Sequence, residues 1–98
     1  MTRLEVSPAA ENDLDEILTY STIRFGDPVA TDYYFGFRDS LERLLQNPRL
    51  GRPAEEAGMD VRCLSYRRHR IFYEIDQEVV RVLRILHYSM DVDDDLLG

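Results

Sequence analysis

Lysine is absent from this chain: all 12 basic residues are arginine, so any anion recognition rests on guanidinium groups, which hold phosphate or carboxylate through paired hydrogen bonds. Cysteine occurs once, as Cys63, which excludes an intramolecular disulfide and fits a reducing cytosol. No apolar run approaches the roughly 18 residues of a membrane span, and Glu5 sits where a secretory signal would begin its apolar stretch. Secretion and membrane insertion are therefore not expected. There is no Gly-rich phosphate-cradling motif, and one Cys with two distant His gives no metal-ligand spacing, so neither cofactor nor metal is expected. No recognisable nucleophile motif surrounds any Ser.

What the chain does contain is acid. Nineteen Asp and Glu leave a net charge of −7, which repels a polyanion as a whole. The charge is unevenly placed. Residues 1–60 hold 6 Arg against 12 acids, residues 61–89 hold 6 Arg against 3, and residues 90–98 add four Asp. With 98 residues, 44% hydrophobic and including six Tyr and four Phe, the chain is long enough for one core, so a single domain over 1–98 is expected, with the acidic segment 90–98 fraying unless a partner orders it.

Leu4 and Val6 alternate with Arg3 and Glu5 as in a strand with one buried face. Ser7-Pro8 then supplies a helix cap and a first helical residue. Ala10, Leu14, Ile17, Leu18, Ser21 and Phe25 form one apolar stripe, with Glu11, Asp13, Asp15 and Glu16 expected on a solvated face. Gly26-Asp27-Pro28 ends this helix and starts another, Asp27 being the expected cap. Ala30, Tyr33, Tyr34, Phe37, Leu41, Leu44 and Leu45 make its wide apolar stripe, which Asn47-Pro48 ends. Phe35 falls off that stripe, on the polar side, and Gly36 is expected to permit close packing against the sheet or the first helix. Pro48, Gly51, Pro53 and Gly58 predict a loop over 48–60, long enough to cross the domain. Three β-rich stretches follow, Val61–Tyr66, Arg68–Ile75 and Val79–Tyr88, with Asp76-Gln77-Glu78 as the last turn. The expected fold is α+β: a helical hairpin packed on a small, mainly antiparallel sheet, in the order β-α-α-β-β-β.

Chemistry is concentrated in the Arg-rich strands. Arg62, Arg67, Arg68 and Arg70 fall within nine residues, and Arg81, Arg84 and His87 lie along the last strand. Regular alternation places Arg81, Leu83, Ile85 and His87 on one face and Val82, Arg84, Leu86 and Tyr88 on the other, so both faces carry apolar residues and need cover. Partly buried Arg62, Arg70 and Arg84 then require partners, either internal acids such as Glu74, Asp76 and the helical carboxylates, or an external phosphate or carboxylate. His87-Tyr88 is the pair suited to acid-base chemistry near neutral pH.

The order of elements, Ser7-Pro8-Ala9-Ala10, the helix stop Asn47-Pro48-Arg49-Leu50-Gly51, Arg62 with Leu64, Arg70-Ile71-Phe72-Tyr73 and Val82-Leu83-Arg84-Ile85-Leu86-His87 resemble the ParE/RelE superfamily of type II toxin-antitoxin toxins, with Met90-Asp91-Val92 similar to the end of the ParE branch. For the ParE branch the resemblance implies a cytoplasmic toxin that poisons DNA gyrase, with no catalytic centre of its own. It also implies a hetero-oligomer with a ParD-like antitoxin, whose other half binds the operon DNA. For RelE-like relatives it implies a ribosome-dependent mRNA endonuclease, in which Arg62, Arg70, Arg84, His87 and Tyr88 are the residues placed to act. An inactive member that only binds antitoxin is a third alternative. The net acidity favours a protein target over a site inside the ribosome, independently of the resemblance. The expected antitoxin surface is an apolar flank of the helical hairpin, Tyr33, Tyr34, Phe37 and Leu41, with Arg62 and Arg70 meeting acids of the partner.

Overall fold

A computed structural model describes residues 2–89; Met90-Asp91-Val92 and the rest of the acidic segment 90–98 lie outside the described residues. Strand β1 (Arg3–Val6) runs into Ser7, whose Oγ accepts from the Ala10 amide at 3.0 Å and donates to the Leu83 carbonyl at 2.8 Å. One hydroxyl thus caps helix α1 (Pro8–Phe25) and fastens its start to the last strand. Gly26, at φ 91°, closes α1 by donating to the Thr22 carbonyl and also precedes α2 (Asp27–Gln46), so Asp27 is the first residue of α2 and not its cap.

The sheet has five strands in the order β1-β5-β4-β3-β2, where β2 is Arg52–Pro53, β3 Val61–Tyr66, β4 His69–Asp76 and β5 Val79–His87. β1 pairs parallel to β5, and every other pairing is antiparallel. This is the expected hairpin-on-sheet fold with one strand added: the 48–60 segment contributes the two-residue β2 and a single 3₁₀ turn, Glu55–Ala57. Pro53 is compatible with a strand there because β2 lies on the sheet edge. The turns Arg67-Arg68 and Gln77-Glu78 occupy two residues each, with Arg67 and Gln77 at φ 52° and 56°, so β4 starts at His69 and Tyr88 falls beyond β5.

Both faces of the sheet are covered. Ile71, Tyr73, Val80, Val82 and Ile85 face the helices and pack with Ala10, Phe37 and Leu44, whereas Val61, Cys63, Phe72 and Leu86 face the 48–60 segment and pack with Ala54 and Ala57. Regular alternation along β5 fails at Leu83. Phe72 pairs with Arg84 but Tyr73 with Val82, leaving Leu83 as a bulge. The extra residue returns Ile85 to the face of Val82 and puts Leu83 with Leu86, so the predicted division of β5 into two four-residue faces is corrected there. Gly36 behaves as expected: a Cβ at this position would overlap the ring and hydroxyl of Tyr66, so its absence lets α2 lie close on β3.

The first helix departs from its predicted stripe at both ends. Phe25, expected in the stripe, is 59% exposed at the hairpin tip, next to Ile23 at 82%. Asp13, expected in solvent, is only 7% exposed. Leu41 packs in the interior, and Phe37, at 1% exposure, is core and presents no surface to a partner.

Candidate functional site

The bulge decides what faces what at the end of β5. Near the turn Asp76 pairs with Val79; past Leu83 the register has moved by one, so His69 stands directly opposite His87. Their rings meet edge to face at 5.3 Å. His69 Nδ1 lies 2.7 Å from the Tyr33 hydroxyl of α2, and His87 Nδ1 lies 2.7 Å from the Ser89 hydroxyl, giving a polar chain that joins α2, β4 and β5. Burial, and secondarily the neighbouring His87, pull the His69 pKa below its usual value, while burial pushes the Tyr33 hydroxyl up. His69 was not singled out by sequence reading, since 18 residues separate it from His87 and only the bulge aligns them.

These groups line a groove of about 710 Å³ between the helical hairpin and the far end of the sheet. Ile17, Tyr20, Phe25 and Val29 form its apolar helical wall; Tyr33, His69 and His87 lie toward the sheet, and Arg67 and Arg68 form the rim. Arg67 stacks over the Tyr33 and Tyr66 rings and bonds Asp32 at 3.0 Å.

Arg84 is fixed at the floor. Its Nε and Nη2 donate to the two Asp13 oxygens at 2.7 and 2.8 Å, and the Ile85 amide donates to Asp13 Oδ2 at 2.9 Å. β1 ends opposite Val82, so beyond it β5 has no strand neighbour on that side; the Asp13 carboxylate caps the open edge. The hydrogen bond from Arg84 to Asp13 raises the arginine's already high pKa and keeps it charged.

The other predicted residues are not gathered here. Arg62 donates from Nε and Nη2 to the Gly51 carbonyl at 3.0 and 2.6 Å and to the Arg49 carbonyl at 3.1 Å, holding the start of the crossing segment. Arg70 lies on the opposite face, over the Phe72 ring at 5.3 Å. Glu74 and Asp76, proposed partners for those arginines, instead meet Arg81, which also bonds Glu5. Tyr34 is exposed beside Phe35 on the outer side of α2, and Tyr88 is exposed after β5. Arg62, Arg70 and Arg84 therefore do not converge on one phosphate. Among the described residues, no three His, Cys, Asp or Glu converge as a metal site, and burial raises the Cys63 thiol pKa, opposing thiolate chemistry. No helix among them is long and apolar enough to cross a membrane.

Two helices on one face of a mixed five-stranded sheet form a fold that other solved structures share. A chain from the structure described as "Chromosomal ParDE TA system from P. aeruginosa" superposes with a TM-score of 0.79 at 20% identity, over 91% of this chain and 98% of that one. A variant of YafQ from E. coli gives 0.51 at 16%, over 91% and 96%. Sequence narrows the class. The family described as "ParE toxin of type II toxin-antitoxin system, parDE" matches residues 4–92. Toxin ParE1 of Mycobacterium tuberculosis is 36% identical over 97% of this chain and 98% of its own, and Toxin ParE1 of Caulobacter vibrioides 33% over 93% and 94%. This chain belongs to the ParE family of type II toxin-antitoxin toxins.

Proposed function

We propose that this toxin acts in the cytoplasm by binding DNA gyrase through a protein contact, without a catalytic centre of its own, and is neutralised by a ParD-like antitoxin. The observation that carries this reading is the internal use of its arginines: Arg84 is bound to Asp13, Arg81 to Glu5 and Glu74, and Arg62 to backbone carbonyls. A nuclease needs such groups turned toward a scissile phosphate. Membership of the ParE family supports the gyrase target. The test is a supercoiling reaction with purified toxin. Inhibition with trapped cleaved DNA is expected; no effect on either the cognate or a surrogate gyrase refutes it.

The antitoxin segment is proposed to seat an amphipathic helix in the groove along Ile17, Tyr20, Val29 and Tyr33. Of the sequence-based candidates, Tyr33 stays in that surface and Tyr34 lies outside it. Arg70, on the opposite face of the sheet over the Phe72 ring, lies outside that surface. Arg62 is set aside because Arg62→Glu disturbs the Arg49 and Gly51 contacts before it tests an interface. Val29→Asp, at an exposed position, should weaken antitoxin binding with folding intact; unchanged affinity removes the groove from the interface.

A second reading rests on the Tyr33-His69-His87 chain, whose imidazoles suit acid-base cleavage of RNA on the ribosome. Codon-linked mRNA cleavage that His87→Ala abolishes would replace the gyrase reading.

A further inference from the structure

The two imidazoles set the sign of the groove's charge. Arg67, Arg68 and Arg84 line it against Asp13 and Glu16, and Asp32, bonded to Arg67, completes the balance. With both histidines neutral these six charges cancel. Each proton added to His69 or His87 is then an unbalanced positive charge in a half-enclosed space.

We propose that His69 and His87 form a proton-operated latch: neutral, they close the free end of the β4-β5 hairpin against Tyr33; both protonated, they repel each other and open it. Geometry gives the latch its parts. The Leu83 bulge places the rings opposite one another at 5.3 Å, and the Tyr33 and Ser89 hydroxyls occupy the two Nδ1 atoms. When His69 is neutral with its proton on Nε2, the Tyr33 hydroxyl donates to Nδ1. When it is protonated both ring nitrogens are donors, so the Tyr33 oxygen must accept and its own hydrogen loses this partner.

The surroundings do not absorb the added charge. From α1 the groups facing the pair are Asp13, Glu16 and Tyr20; from α2 they are Asp32 and Tyr33. From β3 and the following turn they are Tyr66, Arg67 and Arg68, and from β5 Arg84, followed by Tyr88. Asp13 is held by Arg84, Asp32 by Arg67, and Glu16 accepts from Asn12 on the exposed side of α1. The burial and like-charge effects that lower the His69 pKa act in the same direction.

The latch belongs to the toxin chain alone. Its bearing on antitoxin binding rests on the groove reading above, whereas its test does not. Amide hydrogen exchange of the full chain is followed by NMR at about pH 7.5 and about pH 5, corrected for intrinsic rates. Protection at Tyr66, His69, Arg70 and His87 should fall severalfold at the lower pH relative to Ile71 and Val82, because protonation favours the open state. In His87→Gln, which removes the repulsion and leaves only the burial of His69, the loss should be clearly smaller. An equal loss in His87→Gln, or none in the wild type, overturns the proposal. If His87→Gln does not fold, the wild-type ring resonances decide: two linked titrations, the second at clearly lower pH, support the latch, and two independent ordinary curves overturn it.

Discussion

Replacing Asp13 by Ala should be the most damaging single change outside the apolar core. The side chain accepts three hydrogen bonds, from Arg84 Nε and Nη2 and from the Ile85 amide. Removing one member of a buried ion pair costs ~3–5 kcal/mol, mainly because the survivor stays desolvated. The Arg84 side chain keeps 21% of its exposure, so water can reach part of it and the lower end applies. The Ile85 amide loses its acceptor at an unpaired strand edge, a further ~1 kcal/mol that overlaps with the first effect. Together these give about 3 kcal/mol, which for a domain of this length lowers Tm by roughly 12–24 °C. Chemical unfolding followed by circular dichroism measures it. Asp13→Leu with Arg84→Met should recover most of the loss, since two apolar groups can replace a buried pair at little cost. If Asp13→Ala costs under ~1 kcal/mol, or the double variant is as unstable as the single one, the pair does not carry the stability assigned to it.

Gly36→Ala should destabilise by about 1 kcal/mol in thermal unfolding despite a better helix former, because the new methyl displaces Tyr66 from its contacts with Phe37 and Tyr33; stabilisation would show that α2 can lift freely. Tyr73→Phe should cost about 2 kcal/mol in urea unfolding, since the hydroxyl donates to the Pro48 carbonyl at 2.7 Å and accepts from the Gly51 amide at 2.9 Å. The depressed His69 pKa means that the unfolded chain binds its proton more readily. The stability contribution is complete above the unfolded value of about 6.5 and is lost as pH falls below it. His69→Gln should flatten that part of the stability-pH curve, and an unchanged slope assigns it to other groups.

Elements whose cause is local were legible in the sequence. Ser7-Pro8 caps and starts α1 through atoms within three residues, and the hairpin turns are marked by polar pairs between β-rich runs. Contacts closed by the fold were not. Asp13 looked like one more surface acid because Arg84 lies 71 residues away, yet it sits on the helix face of Ala10, Leu14 and Ile17, and a carboxylate inside an apolar stripe is a signal that it has a buried partner. The Leu83 bulge has no such signal: Val82 to His87 reads equally well as a regular strand, and the one-residue shift that aligns His69 with His87 follows from packing on both faces of the sheet. Phe25 fits the helical period, but periodicity does not say which positions of a stripe the fold covers.

The same long-range pairing changes what the basic strands mean. Read along the chain, residues 61–89 form a cationic surface that could draw a polyanion or an acidic partner. In the fold, Arg81 faces Glu5 and Glu74, Arg84 faces Asp13 and Arg67 faces Asp32, so three acids from the first third of the chain, with Glu74, neutralise three arginines of the last third. Opposite charges held within about 4 Å leave little field beyond a Debye length of roughly 8 Å, and the acidic total then governs long-range approach. The net charge of −7 opposes approach to nucleic acid at a distance, in keeping with the proposed protein contact. The exposed apolar groups, Tyr20, Phe25 and Val29 along the groove and Tyr34 and Phe35 on the outer face of α2, are surfaces suited to such a contact, and they lie on different sides of the same helical hairpin.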